Sequence, residues 1–173
     1  YYEVNNIKIL RRYENEKNAD DFFNKNDGFC MGDPINGDFE IYTTSNSGNT
    51  WTQVPAGDIA DPVTGEFGVV SYYSAVGDTA WFGTNMGRVY RSTDKGLTWK
   101  ASATTLGNAI YTDVRFKDAL NGLAQNKSNS SSKFSATSDG GITWTEVKSV
   151  GYVGTYDFCF VPGTDNTWVS AGM

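Results

Sequence analysis

The sequence of 173 residues contains no histidine, only two cysteines and only four prolines. Without histidine, the chain lacks the side chain that most often serves as a general base and as a zinc ligand. The cysteines, Cys30 and Cys159, are too far apart in sequence to form a metal-binding motif. They could form one disulfide if the fold brings them together, but we expect two buried thiols on strands.

Long apolar runs and an excess of basic residues are also missing. No segment approaches the roughly 20 apolar residues of a membrane-spanning helix. The net charge is −6, from 14 basic and 20 acidic residues. Such a chain lacks the positive surface that holds a phosphate backbone. We therefore expect no membrane insertion and no nucleic acid among the partners of this protein.

Aromatic side chains and glycine are what the sequence contains in quantity. Trp, Tyr and Phe make up 14% of the residues, and there are 19 glycines. The Ala-, Leu-, Glu- and Lys-rich periods of a helical protein are absent. Because flat side chains and turn-forming residues favour many short strands, the composition predicts an all-β protein.

One eight-residue pattern, Ser/Thr-x-Asp/Asn-x-Gly-x-Thr-Trp, occurs three times. We call these segments box 1 (residues 44–51), box 2 (92–99) and box 3 (137–144). Their tryptophans are 48 and 45 residues apart, and an internal repeat of this length is typical of a β-propeller. The defining residues are Thr44, Asn46, Gly48 and Trp51 in box 1, Ser92, Asp94, Gly96 and Trp99 in box 2, and Thr137, Asp139, Gly141 and Trp144 in box 3.

The chemistry of each box is that of a turn. The Asp or Asn side chain can accept hydrogen bonds from backbone N–H groups two or three residues on. Glycine supplies a positive φ, and the Ser or Thr hydroxyl adds a further partner. Burial of the tryptophan stabilises more than the turn's hydrogen bonds do. We therefore predict that the box residues are structural and belong to no active site.

Four short strands with similar sequence character surround each box, as in a propeller blade. The approximate blades are 19–54, 68–102 and 110–149, and a partial blade follows at 152–173. Residues 1–18 are interpreted as a strand of a preceding blade plus a loop. Asp20–Phe23 is predicted to be the first strand of the first blade. Pro55–Glu66 is predicted to be a long connecting loop, of the kind that is often functional.

Three and a half blades cannot close a ring, which takes 4–8 blades. An open arc would expose long strand edges, which proteins avoid. The chain begins at Tyr1 rather than Met and ends within a predicted strand. We therefore expect the remaining blades to lie in the same protein, and a second chain that completes the ring is the alternative.

The boxes resemble the Asp-box, or BNR, repeat, Ser-x-Asp-x-Gly-x-Thr-Trp, which box 2 matches in full. The stretches Gly32–Phe39 and Trp81–Tyr90 resemble a group of secreted bacterial BNR-repeat proteins, many of which carry a C-terminal sorting domain. They resemble more distantly the propeller of the photosystem II assembly factor. The resemblance implies a β-propeller in a secreted or cell-surface protein, and it implies no catalytic residue.

Enzymes of the Asp-box class include sialidases and other glycosidases. Sialidases need an arginine triad and a Tyr–Glu nucleophile pair, and the Arg-Ile-Pro motif of that family is absent here. Arg88 and Arg91 are interpreted as solvated residues at a strand edge. Other glycosidases need two carboxylates that face a cleft. The candidate carboxylates are Asp33, Asp38, Asp58, Asp61 and Glu66, for which positions in turns beside Gly and Pro are the simpler interpretation.

The acidic loops could also bind calcium, although the sequence has no spaced Asp-x-Asp-x-Asp run. No other cofactor is expected. The sequence thus predicts a non-catalytic binding or scaffolding module of a secreted or cell-surface bacterial protein, with a carbohydrate or a protein as its ligand. Two alternatives remain open, a glycoside hydrolase and a subunit or assembly factor within a larger complex.

Overall fold

The computed structural model describes residues 2–4, 7–9, 22–108, 111–127, 133–148 and 157–171. Within these residues the chain forms short antiparallel strands and one 3-10 turn at Ala56–Asp58. Every sheet is built from strands that follow one another in sequence. The prediction of an all-β chain made of antiparallel units is confirmed.

The strands fall into five sheets. The first pairs β1 (Tyr2–Val4) with β2 (Ile7–Ile9), and the second has the order β3 (Gly28–Ile35), β4 (Asp38–Thr44), β5 (Thr52–Gln53). The third has the order β6 (Gly68–Val76), β7 (Thr79–Thr84), β8 (Arg88–Ser92), β9 (Lys100–Ala103). The fourth has the order β10 (Thr112–Phe116), β11 (Gly122–Asn126), β12 (Phe134–Thr137), β13 (Thr145–Val147), and the fifth pairs β14 (Asp157–Phe160) with β15 (Trp168–Ala171).

Successive sheets are stacked like the blades of a propeller. The strands β6, β10 and β14, each the first of its sheet, lie next to one another. Boxes 1, 2 and 3 follow β4, β8 and β12, so each box occupies the same place in its sheet. Because first strands that meet along one line are what a radial arrangement requires, the chain is part of a β-propeller.

The third sheet is buried on both faces, and its sequence shows why. Neighbouring side chains of a strand point to opposite faces. On β7, Trp81 joins the core shared with the fourth sheet, while Phe82 joins the core shared with the second. Both side chains are fully buried, so β7 reads as a continuous apolar run rather than an alternating one.

The second sheet departs from the predicted pattern. Of the predicted first strand, Phe22 makes only an isolated bridge to Gly28, and Phe23 already belongs to a turn that its N–H closes on the Asp27 carbonyl at 2.8 Å. Asp20 and Asp21 lie outside the described residues. At the equivalent place in the fourth sheet, Phe116 pairs with Gly122 as part of a full strand. The prediction of a strand at Phe22 and Phe23 is therefore wrong.

The prediction of two buried thiols is also wrong. Cys30 lies on β3 and is half-buried, and Cys159 lies on β14 and is exposed. Both remain thiols, with no disulfide between them. Alternation explains the exposure, since Cys159 lies between two residues, Phe158 and Phe160, that pack against neighbouring rings. No helix among the described residues has the length and hydropathy to cross a bilayer.

Candidate functional site

The hydrogen bonds of box 2 show what its polar residues do. The Ser92 hydroxyl donates to Asp94 Oδ1 at 2.7 Å and accepts from the Gly96 N–H at 2.8 Å. Asp94 accepts from the Thr98 N–H at 2.9 Å and from the Thr98 hydroxyl at 2.7 Å. The principal backbone donor thus lies four residues beyond the carboxylate rather than the predicted two or three. Boxes 1 and 3 repeat these contacts at Thr44, Asn46 and Thr50 and at Thr137, Asp139 and Thr143.

Two consecutive residues of each box have a positive φ. Gly96 has a φ of 84°, and Lys95 before it has a φ of 59°. Sequence reasoning assigned this backbone conformation to the glycine alone. In all three boxes, the N–H of this earlier residue bonds to a carbonyl in the turn just before the strand that pairs with the box's own strand, which is β3, β7 or β11. The donor and acceptor pairs are Ser47 to Asn26, Lys95 to Asp78, and Gly140 to Leu120.

Box 3 also fastens its sheet to the preceding one. The indole of Trp81, on β7, donates to the Gly140 carbonyl at 2.7 Å and stacks on Phe116 with ring centroids 3.6 Å apart. Ser102 donates to the Gly141 carbonyl and accepts from the Trp144 indole. These contacts hold the third and fourth sheets together.

The aspartates of boxes 2 and 3 have lowered pKa values, which favour the ionised form. Hydrogen bonds from the Thr143 hydroxyl and N–H hold the pKa of Asp139 well below its usual range. Partial burial raises the pKa of Asp94, but hydrogen bonds from Thr98 and Ser92 outweigh it and leave the pKa lowered. Box 1 has an asparagine at this place, whose Nδ2 donates to the Thr50 hydroxyl at 2.8 Å.

The difference between the aspartates of boxes 2 and 3 and the asparagine of box 1 predicts how acid destabilises the protein. A carboxylate with a lowered folded pKa stabilises the fold above its unfolded pKa of about 3.9, and the stabilisation is lost as the pH falls below that value. We expect the double variant Asp94→Asn with Asp139→Asn to lose less stability than the wild type between about pH 5 and pH 2. Urea unfolding midpoints across that pH range measure the effect.

The reciprocal variant is Asn46→Asp, which gives box 1 a titrating carboxylate. It should lose more stability than the wild type as the pH falls. Burial raises the pKa of Asp113, so its titration changes the stability in the opposite direction. This contribution is the same in the wild type and in all variants. Parallel pH profiles for the wild type and the double variant would contradict the prediction.

Glu66, at the end of the long loop, is a buried structural carboxylate. Its Oε2 accepts from Arg88 at 2.6 Å and from the Val63 N–H at 2.9 Å, and its Oε1 accepts from Thr84 at 2.7 Å. The Glu66 side chain is fully buried and that of Arg88 is 18% exposed. Arg88 is therefore an ion-pairing residue that anchors the loop, and its interpretation as a solvated residue is wrong.

The other candidate carboxylates are dispersed. Asp33 lies within β3, beside a bulge between Met31 and Pro34, so its predicted place in a turn is wrong. Asp58 and Asp61 serve the fold through their backbone carbonyls, which accept from the Trp99 N–H and from the Arg88 side chain. Asp38 lines a pocket of about 200 Å³ with Glu40, which sequence reasoning did not single out.

No group of three or more carboxylate, thiol or imidazole side chains among the described residues is placed to hold a metal ion. Calcium binding by the acidic loops therefore stays a prediction.

A cluster of aromatic and charged side chains lies along the first strands of the third, fourth and fifth sheets, β6, β10 and β14. We call it the inner-strand cluster, and its members are Tyr72, Tyr111, Asp113, Arg115, Lys127 and Asp157. Asp113 is at its centre and is fully buried. Arg115 approaches one of its carboxylate oxygens to 2.6 Å, and Lys127 approaches the other to 3.1 Å. Burial raises the pKa of Asp113, and the two cations offset part of that rise.

The cations of the cluster lie against aromatic rings. Lys127 Nζ is 5.6 Å from the centre of the Tyr72 ring and 5.7 Å from that of Phe158. Tyr72 in turn makes an edge contact with Tyr111, with centroids 6.4 Å apart. Cation–π contacts of this kind, together with the ion pairs, fix the positions of the side chains.

A bulge in β6 shapes one side of this cluster. The register of β6 against β7 shifts between Gly68 and Tyr73, and Ser71, inside the shifted segment, has a φ of 72°. A positive φ at a residue other than glycine costs on the order of 1–3 kcal/mol and is concentrated at functional sites. Bulges likewise re-aim side chains near binding sites. The sequence of β6 gives no signal for either feature.

Comparisons with known proteins found solved structures of low similarity. No protein-family model and no curated protein matches the chain. A solved structure described as YCF48 bound to D1 peptide aligns with a TM-score of 0.49 and 15% identity, over 72% of this chain and 37% of that one. A structure of NanB plus Optactamide aligns with a TM-score of 0.36 and 18% identity, over 66% of this chain and 20% of that one. The chain thus spans well under half of either protein.

Proposed function

We propose that this chain is part of an Asp-box, or BNR-repeat, β-propeller in a secreted or cell-surface bacterial protein, where it acts as a non-catalytic binding or scaffolding module. The three boxes support this class because their hydroxyl, carboxamide or carboxylate, and glycine repeat one turn geometry. The remaining blades would come from the same protein or from a completing chain. A role as a subunit within a larger complex is compatible with this proposal.

The observation that carries the proposal is the inner-strand cluster. It combines fixed charges with accessible groups, since Tyr111 is 43% exposed and the Asp157 side chain is 69% exposed. Binding sites typically place a few polar groups among aromatic side chains in this way. The cluster also lies along the first strands of three sheets, which run next to one another.

A glycoside hydrolase is the second candidate, and the pocket at Asp38 and Glu40 is the observation that favours it. These residues lie two apart on β4, so their side chains leave the same face of one strand. A glycosidase needs its two carboxylates on opposite sides of the scissile bond. Glu66 cannot supply the second carboxylate because its oxygens already accept hydrogen bonds from Val63, Thr84 and Arg88.

A hydrolysis assay separates the two candidates. The wild-type chain is incubated with a panel of aryl glycosides, next to the variants Asp38→Asn and Glu40→Gln. We expect no release of the aryl group above that of the variants, because Asp38 and Glu40 leave the same face of one strand and do not flank a scissile bond. Turnover that is abolished by either substitution would establish the glycosidase and refute the non-catalytic module.

A further inference from the structure

We infer that the inner-strand cluster binds a neutral sugar ring of a carbohydrate, with Tyr111 as the stacking surface and the Arg115–Asp157 pair holding two adjacent hydroxyl groups. This inference rests on the proposed binding function and specifies its ligand class. It follows from three properties of the cluster: which groups a ligand can reach, which hydrogen bonds those groups still offer, and what charge they carry together.

Only part of the cluster is accessible to a ligand. The side chain of Asp113 is fully buried and that of Lys127 is 5% exposed, so neither presents a useful surface. Tyr111, Arg115 and Asp157 are accessible, with exposed fractions of 43% for Tyr111 and of 28% and 69% for the side chains of Arg115 and Asp157. A ligand would therefore meet the Tyr111 ring, just before β10, and the guanidinium and carboxylate of the Arg115–Asp157 pair further along that strand.

The hydrogen bonds of Arg115 show which of its atoms can serve a ligand. Its NH1 nitrogen is engaged with Asp113 Oδ1 and with the backbone carbonyls of Tyr73 and Val114. Its NH2 nitrogen faces Asp157 Oδ1 at 3.7 Å, which is too long for a hydrogen bond. Asp157 Oδ1 accepts from the Phe158 N–H at 2.8 Å, so the guanidinium and the exposed carboxylate lie near each other without a hydrogen bond between them. Two vicinal hydroxyl groups suit this arrangement, because one can accept from NH2 while the other donates to Asp157.

The charge of the cluster favours a neutral ligand. Arg115 and Lys127 carry two positive charges, and Asp113 and Asp157 carry two negative charges, so the four side chains balance. A phosphate or carboxylate ligand would meet the exposed Asp157 at close range, and like charges at that distance oppose binding. A sugar ring carries no charge, and its C–H groups can lie on the face of an aromatic ring whose hydroxyl points to water.

The surrounding structure holds the accessible groups in place before a ligand arrives. Asp113 forms ion pairs with both Arg115 and Lys127, and Tyr72, which lies within the bulge of β6, makes an edge contact with Tyr111. Preorganisation of this kind reduces the entropy lost on binding, which matters for sugars, because water competes for every hydroxyl group.

The experiment measures binding of the protein, with every blade present, to arrays of neutral and acidic oligosaccharides, followed by calorimetry on the best ligand. We expect a neutral oligosaccharide to bind, with an affinity that changes little with salt. Tyr111→Ala should weaken binding about tenfold or more through loss of the ring face, and Asp157→Ala should weaken it as well. Tyr111→Phe should retain most of the affinity because it keeps the ring.

Matched controls make the outcome decisive. Leu97 is 57% exposed in box 2, at the opposite end of the sheets, and Leu97→Ala should leave binding unchanged. Unfolding midpoints equal to that of the wild type show that each variant is folded. The inference is overturned if no neutral oligosaccharide binds, if Tyr111→Ala binds as well as the wild type, or if only an acidic ligand binds with strong salt dependence. Cleavage of a bound oligosaccharide would instead overturn the non-catalytic function.

Discussion

Trp99→Ala is expected to destabilise the protein by about 3–5 kcal/mol, whereas Asp94→Ala, in the same box, is expected to cost only about 1–2 kcal/mol. Trp99 is 2% exposed and packs against Phe29 and Phe82 from two different sheets, with ring centroids 5.2 Å away in each case. Its loss would open a cavity between those sheets. Asp94 contributes hydrogen bonds at the surface, where water can replace part of them.

The backbone of Trp99 also holds the long loop, because its N–H and C=O bond to Asp58 and Ala60. These bonds survive in Trp99→Ala, so the measured loss reports on the indole. Trp99→Phe, which keeps an aromatic ring, should recover a large part of the stability. Urea unfolding of the three variants measures the ranking, and a lower midpoint for Asp94→Ala than for Trp99→Ala would contradict it.

Gly83→Ala is expected to destabilise the protein by about 3 kcal/mol, although it adds a single methyl group. A Cβ atom at Gly83 would lie 1.9 Å from the backbone carbonyl oxygen of Thr112. The third and fourth sheets approach each other there through backbone, which cannot turn aside as a side chain can. The sheets would have to move apart, which would weaken the packing of Trp81 on Phe116.

Gly57→Ala is the matched control for this substitution. Gly57 lies in the 3-10 turn, and a Cβ atom there would meet nothing within 4 Å. Since the conformation suits alanine, the substitution should change the stability by no more than about 1 kcal/mol, in the stabilising direction. Equal unfolding midpoints for Gly83→Ala and Gly57→Ala would show that the two sheets are not held as closely as the structure indicates.

The strands were the most predictable part of this protein. The third and fourth sheets have the four strands that the sequence predicts around boxes 2 and 3, because turn residues mark the ends of these short strands. The prediction of a strand at Phe22 was wrong, because apolar residues after two aspartates suit a strand and a tight turn equally well. Its neighbour Asp27 decided the outcome by accepting the N–H of Phe23.

The candidate site was much less predictable. Asp113, Lys127 and Asp157 look like ordinary loop or strand charges along the chain, and nothing in their spacing relates them. They meet because β10 pairs with β11 and lies next to β14. The pairing of Glu66 with Arg88 was missed for the same reason, since 22 residues separate partners that the loop brings together. No local sequence pattern predicts contacts between residues so far apart in the chain.

The sequence by itself determined the class of fold, since the spacing of the boxes, the glycines of their turns and the short β-prone runs all act over a few residues. Tertiary structure alone decided what each side chain faces. Packing of consecutive sheets buried Trp81 and Phe82 on opposite faces, made Arg88 an anchor, and left Tyr111, Arg115 and Asp157 accessible beside a strained bulge. Turns follow from local backbone chemistry, whereas a binding surface follows from which sheets become neighbours.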